Sequence, residues 1–295
     1  MKKIFKNLIP VAAFALTLGM TSCTGDLDVE PLDPNMSTEV SPEGLFNKCY
    51  ANIAMAGNGG ANGDCDIDGI DGGTSGYIRQ MWNANELPTD EAINGWGDDG
   101  IEQSCFNTYD ESHPMLNGYF ARLTTGITYC NQYLTIAADY NATMTAEIRF
   151  IRALNYYLLM DAFGRVPFAE TLGTPVIYTR QEIYDWLEKE LTENVEPYLD
   201  APKAKKSTDA NYGRVDKAAA WLLLSRAYLN AGTYLNNDGQ NNPHWDKALE
   251  YAEKVINSGY SLFDDSKIST EAINNGYKPY DLLFMGDNGS NGASC

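Results

Sequence analysis

The stretch that most constrains this chain is AEIRFIRALNYYLLMDAFGRVPFAE, Ala146 to Glu170. Ile148, Ile151, Leu154, Leu158 and Ala162 recur at i, i+3 and i+4, the spacing that places side chains on one face of a helix. Tyr156, Tyr157 and Leu159 widen that face until little polar surface is left, so the helix belongs inside a helical stack. Gly164 can take the left-handed conformation that ends a helix, and Pro167 stops its resumption. The remaining charges, Glu147, Arg149, Arg152 and Asp161, are expected to pair with one another or with adjacent helices.

Other segments supply that stack. Pro42 follows Ser41 at the start of a helix expected to run to about Met55. Met115, Tyr119, Leu123, Ile127, Cys130 and Leu134 keep helical spacing from Pro114 to about Asp139. Further helices are predicted over about Thr179 to Tyr198, Asp216 to Ala231, and from Trp245 to a stop at Gly259. Small residues at Ala218, Ala219, Ala220, Ala227, Ala248 and Ala252 allow close approach of the last two. These two, and the pair 114–139 with 146–163, resemble degenerate tetratricopeptide units, in which paired helices bury a face by stacking on neighbours. The expected fold is mainly α: a stack of tetratricopeptide-like helix pairs supporting an irregular, loop-rich region that carries the ligand-binding chemistry.

The first residues, MKKIFKNLIPVAAFALTLGMTSC, carry three lysines, an apolar run from Leu8 to about Leu18, and small residues before a cysteine. That run is shorter than the ~20 residues a membrane-spanning helix needs. Residues 1–22 read as a signal peptide and Cys23 as the lipidated first residue of the mature chain, followed by an acidic, proline-containing tether over 23–40. An ordinary secretory signal with an incidental cysteine is the alternative. Attachment to a membrane would then be through the N-terminal lipid only. Loss of Lys2, Lys3 and Lys6 with the signal moves the formal charge from -19 to -22. Such a charge repels phosphates and argues against nucleic acid. Six cysteines, five of them beyond the lipidation site and none in a CxxC, define neither a metal motif nor a disulfide pairing. His113 and His244, each beside a proline at a helix start, suit turns or caps better than a metal centre or a catalytic triad.

Tyr77 to Gly100, YIRQMWNANELPTDEAINGWGDDG, is the least periodic and most chemically loaded segment. Indoles such as Trp82 and Trp96 can stack on the apolar faces of sugar rings, while Arg79, Asn83, Glu86, Asp98 and Asp99 can fix hydroxyls through forked hydrogen bonds. On residues alone, tryptophans anchoring a loop to the core explain the segment equally well. Just upstream, Asp64, Asp66, Asp68 and Gly69 match the first half of a calcium loop, with Asp71 as a further oxygen donor. Ser75 stands where a bidentate glutamate is required, so these are weak calcium ligands, an EF-hand is not supported, and no other cofactor is expected.

Taken together, GMTSC with DLDVEPLDP, IDGIDGGTSGYIRQMWNANELPTDEA, EIRFIRALNYYLLMDAFGRVPF, YGRVDKAAAWLLLSRAYLNAG, and WDKALEYAEKVINSGYSL leading to LLFMGDN resemble the SusD/RagB-like lipoproteins of Bacteroidetes outer membranes. The segments stand in family order across nearly the whole chain and look most similar to the starch-binding members. The resemblance implies a lipid-anchored outer-membrane protein at the cell surface. Such a protein binds oligosaccharide without catalysis and hands it to a TonB-dependent, SusC-like transporter. It also implies that 41–295 is the N-terminal portion of a longer, apparently truncated fold whose C-terminal part is absent. Residue by residue, Arg79 matches the family's arginine after Gly76-Tyr77-Ile78, and Trp96 matches a ligand tryptophan five residues after Glu91. An earlier tryptophan position is Asn94 here, which weakens the aromatic arc, and Asp99 falls where the pattern can carry an asparagine. Glycan contacts are therefore expected at Arg79, Trp96, Asp99 and Trp82.

Two other classes compete. A glycoside hydrolase would need two carboxylates about 5–9 Å apart, for which Glu86, Asp90 and Glu91 are the candidates, although adjacent acids in PTDEA more simply form a solvated turn. A pure helical-repeat scaffold, or a truncated fragment without glycan binding, would have only a protein partner.

Overall fold

In the computed structural model the described residues are 40–57, 65–70, 72–236 and 238–286. The signal peptide, Cys23 and the tether up to residue 39 lie outside them, as do Asp64 and Asp71. Residues from Pro42 onward form one unit. In chain order its elements are α1 (Pro42–Ala54), α2 (Tyr77–Glu86), α3 (Ile101–Cys105), α4 (Pro114–Ile136) and α5 (Ala142–Phe163). Then come β1 (Val166–Phe168), β2 (Val176–Tyr178), α6 (Arg180–Lys189) with a π-helical continuation (Glu190–Val195), α7 (Lys217–Leu229) and α8 (Ala231–Asn236). Finally come α9 (Trp245–Ile256), α10 (Thr270–Asn274) and α11 (Pro279–Leu282).

The helix pairs expected from the sequence form: α4 packs on α5, and α7 on α9. α5 is the spine, with Ile148, Ile151, Tyr156, Tyr157, Leu159 and Met160 buried among α4, α6 and α7. It starts four residues before its apolar pattern does, because Asn141 accepts a hydrogen bond from the Met144 amide at 3.0 Å and caps a polar first turn. Thr179 and Glu182 close a reciprocal capping box on α6, and Asp216 accepts from the Ala218 amide at the start of α7. Gly164 ends α5 with φ +76° and ψ -82°, a positive φ open to glycine but outside the left-handed helical well that its position predicts.

Among the elements not anticipated, a strand pair and one helix bear most on the site. Pro167, expected only to stop the helix, lies in β1, which pairs antiparallel with β2 in a two-stranded ribbon. A ribbon has free edges where a missing N–H is tolerated. The ribbon is held down by Phe168, stacked on Tyr178 with ring centroids 4.2 Å apart and packed edge-on against Trp186. The other correction is α2. The segment read as irregular is helical from Tyr77 to Glu86, with Tyr77, Gln80 and Asn83 on its buried face. Two of those three contacts are polar, which is why an apolar pattern did not reveal the helix.

The charges on α5 are satisfied by adjacent helices and loops. Arg152 is buried and donates to Glu190 at 2.8 Å, to Asn131 at 3.0 Å and to the Glu170 carbonyl at 3.1 Å. Arg149 adds a second bond to Glu190 at 2.9 Å. The backbone widens into its π-turn where Glu190 is held by these two guanidinium groups, with Glu196 N–H reaching back to the Leu191 carbonyl at 2.9 Å. Glu147 binds Arg214 and accepts from the Tyr50 hydroxyl at 2.5 Å, joining α1, α5 and the segment before α7. Burial, and then the Glu147 charge, push the Tyr50 hydroxyl far above its ordinary range, so it stays a donor. Asp161 accepts from Tyr234 of α8 at 2.6 Å.

Where α1, α4 and α5 meet, Gly126 makes room for two asparagines. A Cβ there would lie 2.5 Å from Asn52 Nδ2 and 3.2 Å from both side-chain heteroatoms of Asn155.

Removing Arg152 strips Glu190 of its buried partner, a loss of about 3–5 kcal/mol. Arg152→Met is therefore expected to lower the urea midpoint sharply without changing the slope of the transition, measured by circular dichroism. A midpoint within error of the parent would show that Arg149 alone satisfies Glu190.

Candidate functional site

The loop from residue 65 to Gly76 is tied to the interior of α4 by a buried side chain. Arg122 of α4, fully buried, donates to the Ser75 carbonyl at 2.8 Å, to Ser75 Oγ at 3.2 Å and to Asn52 of α1 at 3.2 Å. Its ion pair with Asp66 spans 2.9 Å. The Asp66 amide in turn bonds to the Ala56 carbonyl at 3.1 Å, so both ends of the glycine-rich loop are tied to the helices. Asp66 is thus occupied by a guanidinium, with Lys48 at 3.8 Å as a second cation. Asp68 is exposed in a turn, and Ser75 is buried against Arg122 and Cys65. Among the described residues no three histidine, cysteine or acidic side chains gather where they could hold a metal.

The sequence-predicted ligand residues fall on two neighbouring features. Arg79 donates to the Gly73 carbonyl at 2.6 Å and pairs with Asp98, joining α2 to both loops. Asp98 and Asp99 line a cavity of about 270 Å³ with Gly69, Thr74, Gln80 and Asn117. Trp96 lines a second cleft of about 260 Å³ with Ile93, Ile101, Cys105 and Phe106, and is 62 % exposed. Trp82, 44 % exposed, stands on the outer face of α2 with Ile78, one turn earlier. Arg79, Asp99 and Trp96 are therefore neighbours through the 94–99 loop, whereas Trp82 faces solvent from the helix.

Short hydrogen bonds shape this loop. Asn94, which stands at the family's earlier tryptophan position, accepts from the Trp96 amide at 3.1 Å and so turns the chain that presents the indole. Thr89 bonds the Glu86 carbonyl through both its amide and its hydroxyl, at 3.1 and 2.7 Å, and accepts from the Glu91 amide. Asp90 and Glu91 are exposed on that turn, as the solvated-turn reading has it. His113 accepts from the Leu116 amide at Nδ1, 3.2 Å, capping α4. With Nδ1 an acceptor, Nε2–H donates to the Gly100 carbonyl at 2.8 Å, which fixes the start of α3 against α4. His244 stands at the start of α9 without a capping bond and instead stacks on Tyr184 with planes 8° apart.

Sequence reasoning ended the loaded segment at Gly100 and so missed Phe106. It is 62 % exposed at the C-terminal end of α3, its amide held by the Glu102 carbonyl at 3.0 Å. The next residue, Asn107, takes φ +53°, a conformation asparagine tolerates, and donates from its side chain to the Pro88 carbonyl at 3.1 Å. The available signal was a phenylalanine followed by asparagine at the end of a short helix.

No family model matches the sequence. The chain is 38 % identical, along 98 % of its length, to the starch-binding protein SusD of Bacteroides thetaiotaomicron, and spans 49 % of that relative. A SusD-like protein from Bacteroides fragilis superposes with a TM-score of 0.57 at 18 % identity, over 90 % of this chain and 46 % of that one. Surface glycan-binding protein A from Bacteroides fluxus gives 0.56 at 19 % identity, over 86 % and 48 %. A laminarin-binding SusD-like protein gives 0.54 at 20 % identity, over 75 % and 44 %. In sequence the chain is similar to SusD, and its fold is that of SusD-like proteins. It spans about half the length of the curated relative it matches, SusD.

Arg122→Met leaves the helices their apolar contacts but removes the donors that hold the loop. Limited proteolysis is expected to cut between residues 65 and 76 several-fold faster than in the parent, with far-ultraviolet ellipticity retained. Equal cleavage rates would show that the loop holds itself.

Proposed function

We propose that this chain captures oligosaccharide, starch- or maltooligosaccharide-like or related, on the loop face carrying Trp96, Arg79 and Asp99, and does not cleave it. The observation that carries the reading is Trp96, which presents its indole to solvent from a loop turned by Asn94 and bordered by Asp98 and Asp99. A pyranose ring has an apolar face that matches an indole and a hydroxyl rim that matches carboxylates and a guanidinium. The names of the starch-binding relative and of the glycan- and laminarin-binding neighbours support a sugar as the ligand class. Asp90 and Glu91 are adjacent and exposed on the Thr89 turn, an arrangement that suits hydrogen bonding to hydroxyls.

The rest of the proposal follows the family. Residues 1–22 direct export, Cys23 carries the lipid, 23–40 tether the domain to the outer surface of the outer membrane, and 41–295 form the N-terminal portion of the binding fold. The sugar is handed to a TonB-dependent, SusC-like transporter. Among the described residues no helix is long and apolar enough to cross a membrane.

A scaffold reading has one observation in its favour. Trp245, Leu249 and Ile256 form an exposed apolar stripe along α9, a surface suited to protein contact. It is compatible with sugar binding elsewhere on the molecule.

Trp96→Ala is expected to weaken binding of maltoheptaose about tenfold or more in calorimetric titration, with helical content unchanged. Unchanged affinity would move the ligand surface elsewhere, and loss of helicity would make Trp96 a core residue.

A further inference from the structure

Phe106 lies beyond every residue that the family pattern brings to the ligand. Its ring is as exposed as that of Trp96, and both line the same cleft with Ile93, Ile101 and Cys105. A large aromatic left mostly exposed at the end of a short helix adds little to the core. Its backbone is fixed from both sides, by the Glu102 carbonyl and by the Asn107 bond to Pro88. Trp96 is fixed likewise by Asn94. Two aromatic residues whose backbone is held at one cleft leave only side-chain freedom to be lost on binding, which favours stacking.

The cleft does not end there. A second depression of about 280 Å³, lined by Thr89, Asp90, Glu91 and Ala92, shares Ile93 and Cys105 with the first. Each is below the ~300 Å³ at which pockets for drug-sized ligands begin, and the two together lie well inside that range. One end is aromatic and the other carboxylate-rich. That sequence of surfaces matches an amphipathic polyol chain, with rings to stack at one unit and hydroxyls to bind at the next, better than it matches a wholly apolar ligand.

We propose that Phe106 is the second aromatic face of the sugar-binding surface, and that the groove from Trp96 and Phe106 to Asp90 and Glu91 holds two adjoining pyranose units. Phe106 stands in for the aromatic that Asn94 does not supply, while Asn94 serves as the turn that aims Trp96. Cys105, at the junction of the two depressions, is covered when the groove is filled. The inference rests on the sugar-binding reading above and adds to it a residue, a direction and a minimum ligand length.

The test uses the full chain with maltose and maltoheptaose. Phe106→Ala is expected to weaken both about five- to tenfold in calorimetric titration, Phe106→Trp to restore the affinity, and both variants to keep the parent's ellipticity. On the unmodified protein, maltoheptaose is expected to slow maleimide labelling of Cys105 several-fold, read by peptide mass mapping, while leaving the rate at Cys65 unchanged. If maltoheptaose binds and Trp96→Ala weakens it, yet Phe106→Ala binds as the parent does or Cys105 labels at its unliganded rate, the groove is wrong and the sugar-binding reading stands. If neither sugar binds the parent, both fall.

Discussion

Arg122 is the interaction on which the proposed ligand face depends. A guanidinium removed from water costs several kcal/mol unless its hydrogen bonds are replaced, and here the replacements come from Ser75, Asn52 and Asp66. Those acceptors lie on α1 and on the glycine-rich loop, so satisfying one side chain of α4 forces both against the stack. Arg79 then extends the chain of contacts from that loop, at Gly73, to Asp98. His113 adds a second tie, from the first turn of α4 to Gly100. Asp98 and Gly100 lie two and four residues after Trp96.

The stack is organised the same way. Arg152 and Arg149 meet over Glu190, and Arg214 and Tyr50 meet over Glu147, so each buried carboxylate joins elements distant in sequence. Such contacts add directional constraint to an apolar core that would otherwise permit helices to slide. A rigid support matters for a surface that binds by stacking. Rings already held in place need not be ordered by the ligand, and more of the contact energy appears as affinity. Loop bonds at Asn94, Thr89 and Asn107 continue that rigidity to the surface itself.

The helices that could be read from the sequence are those whose burial is apolar. α5 announced itself through Ile148, Ile151, Leu154 and Leu158, and α4, α7 and α9 through similar spacing. The charge pairing on α5 followed from having too little polar surface to leave four charges in solvent. What escaped had a different physical basis. α2 buries Gln80 and Asn83, so its inner face looks polar in sequence. The β1–β2 ribbon is three residues per strand, too short for alternation to register. At the candidate site, Arg79, Trp96 and Asp99 were singled out through the resemblance to the family, because aromatic and forked polar groups together in a loop suit an anchor on the core equally well. Asp66 read as a cation ligand because sequence shows its charge but not that Arg122 faces it. Phe106 escaped because its exposure is a property of the folded loop alone.

Five tryptophans allow the central claim, that the loop face rather than the helical stack meets the ligand, to be tested directly. Trp96 is on the loop, Trp82 on the outer face of α2, Trp245 on the apolar stripe of α9, and Trp186 and Trp221 pack against the core. With 5-fluorotryptophan incorporated and each resonance assigned by substitution, fluorine NMR during a maltoheptaose titration reports on all five at once. The account predicts a saturable shift of the Trp96 resonance with Trp186, Trp221 and Trp245 unmoved. A saturable shift confined to any of those three, with Trp96 unmoved, would contradict it.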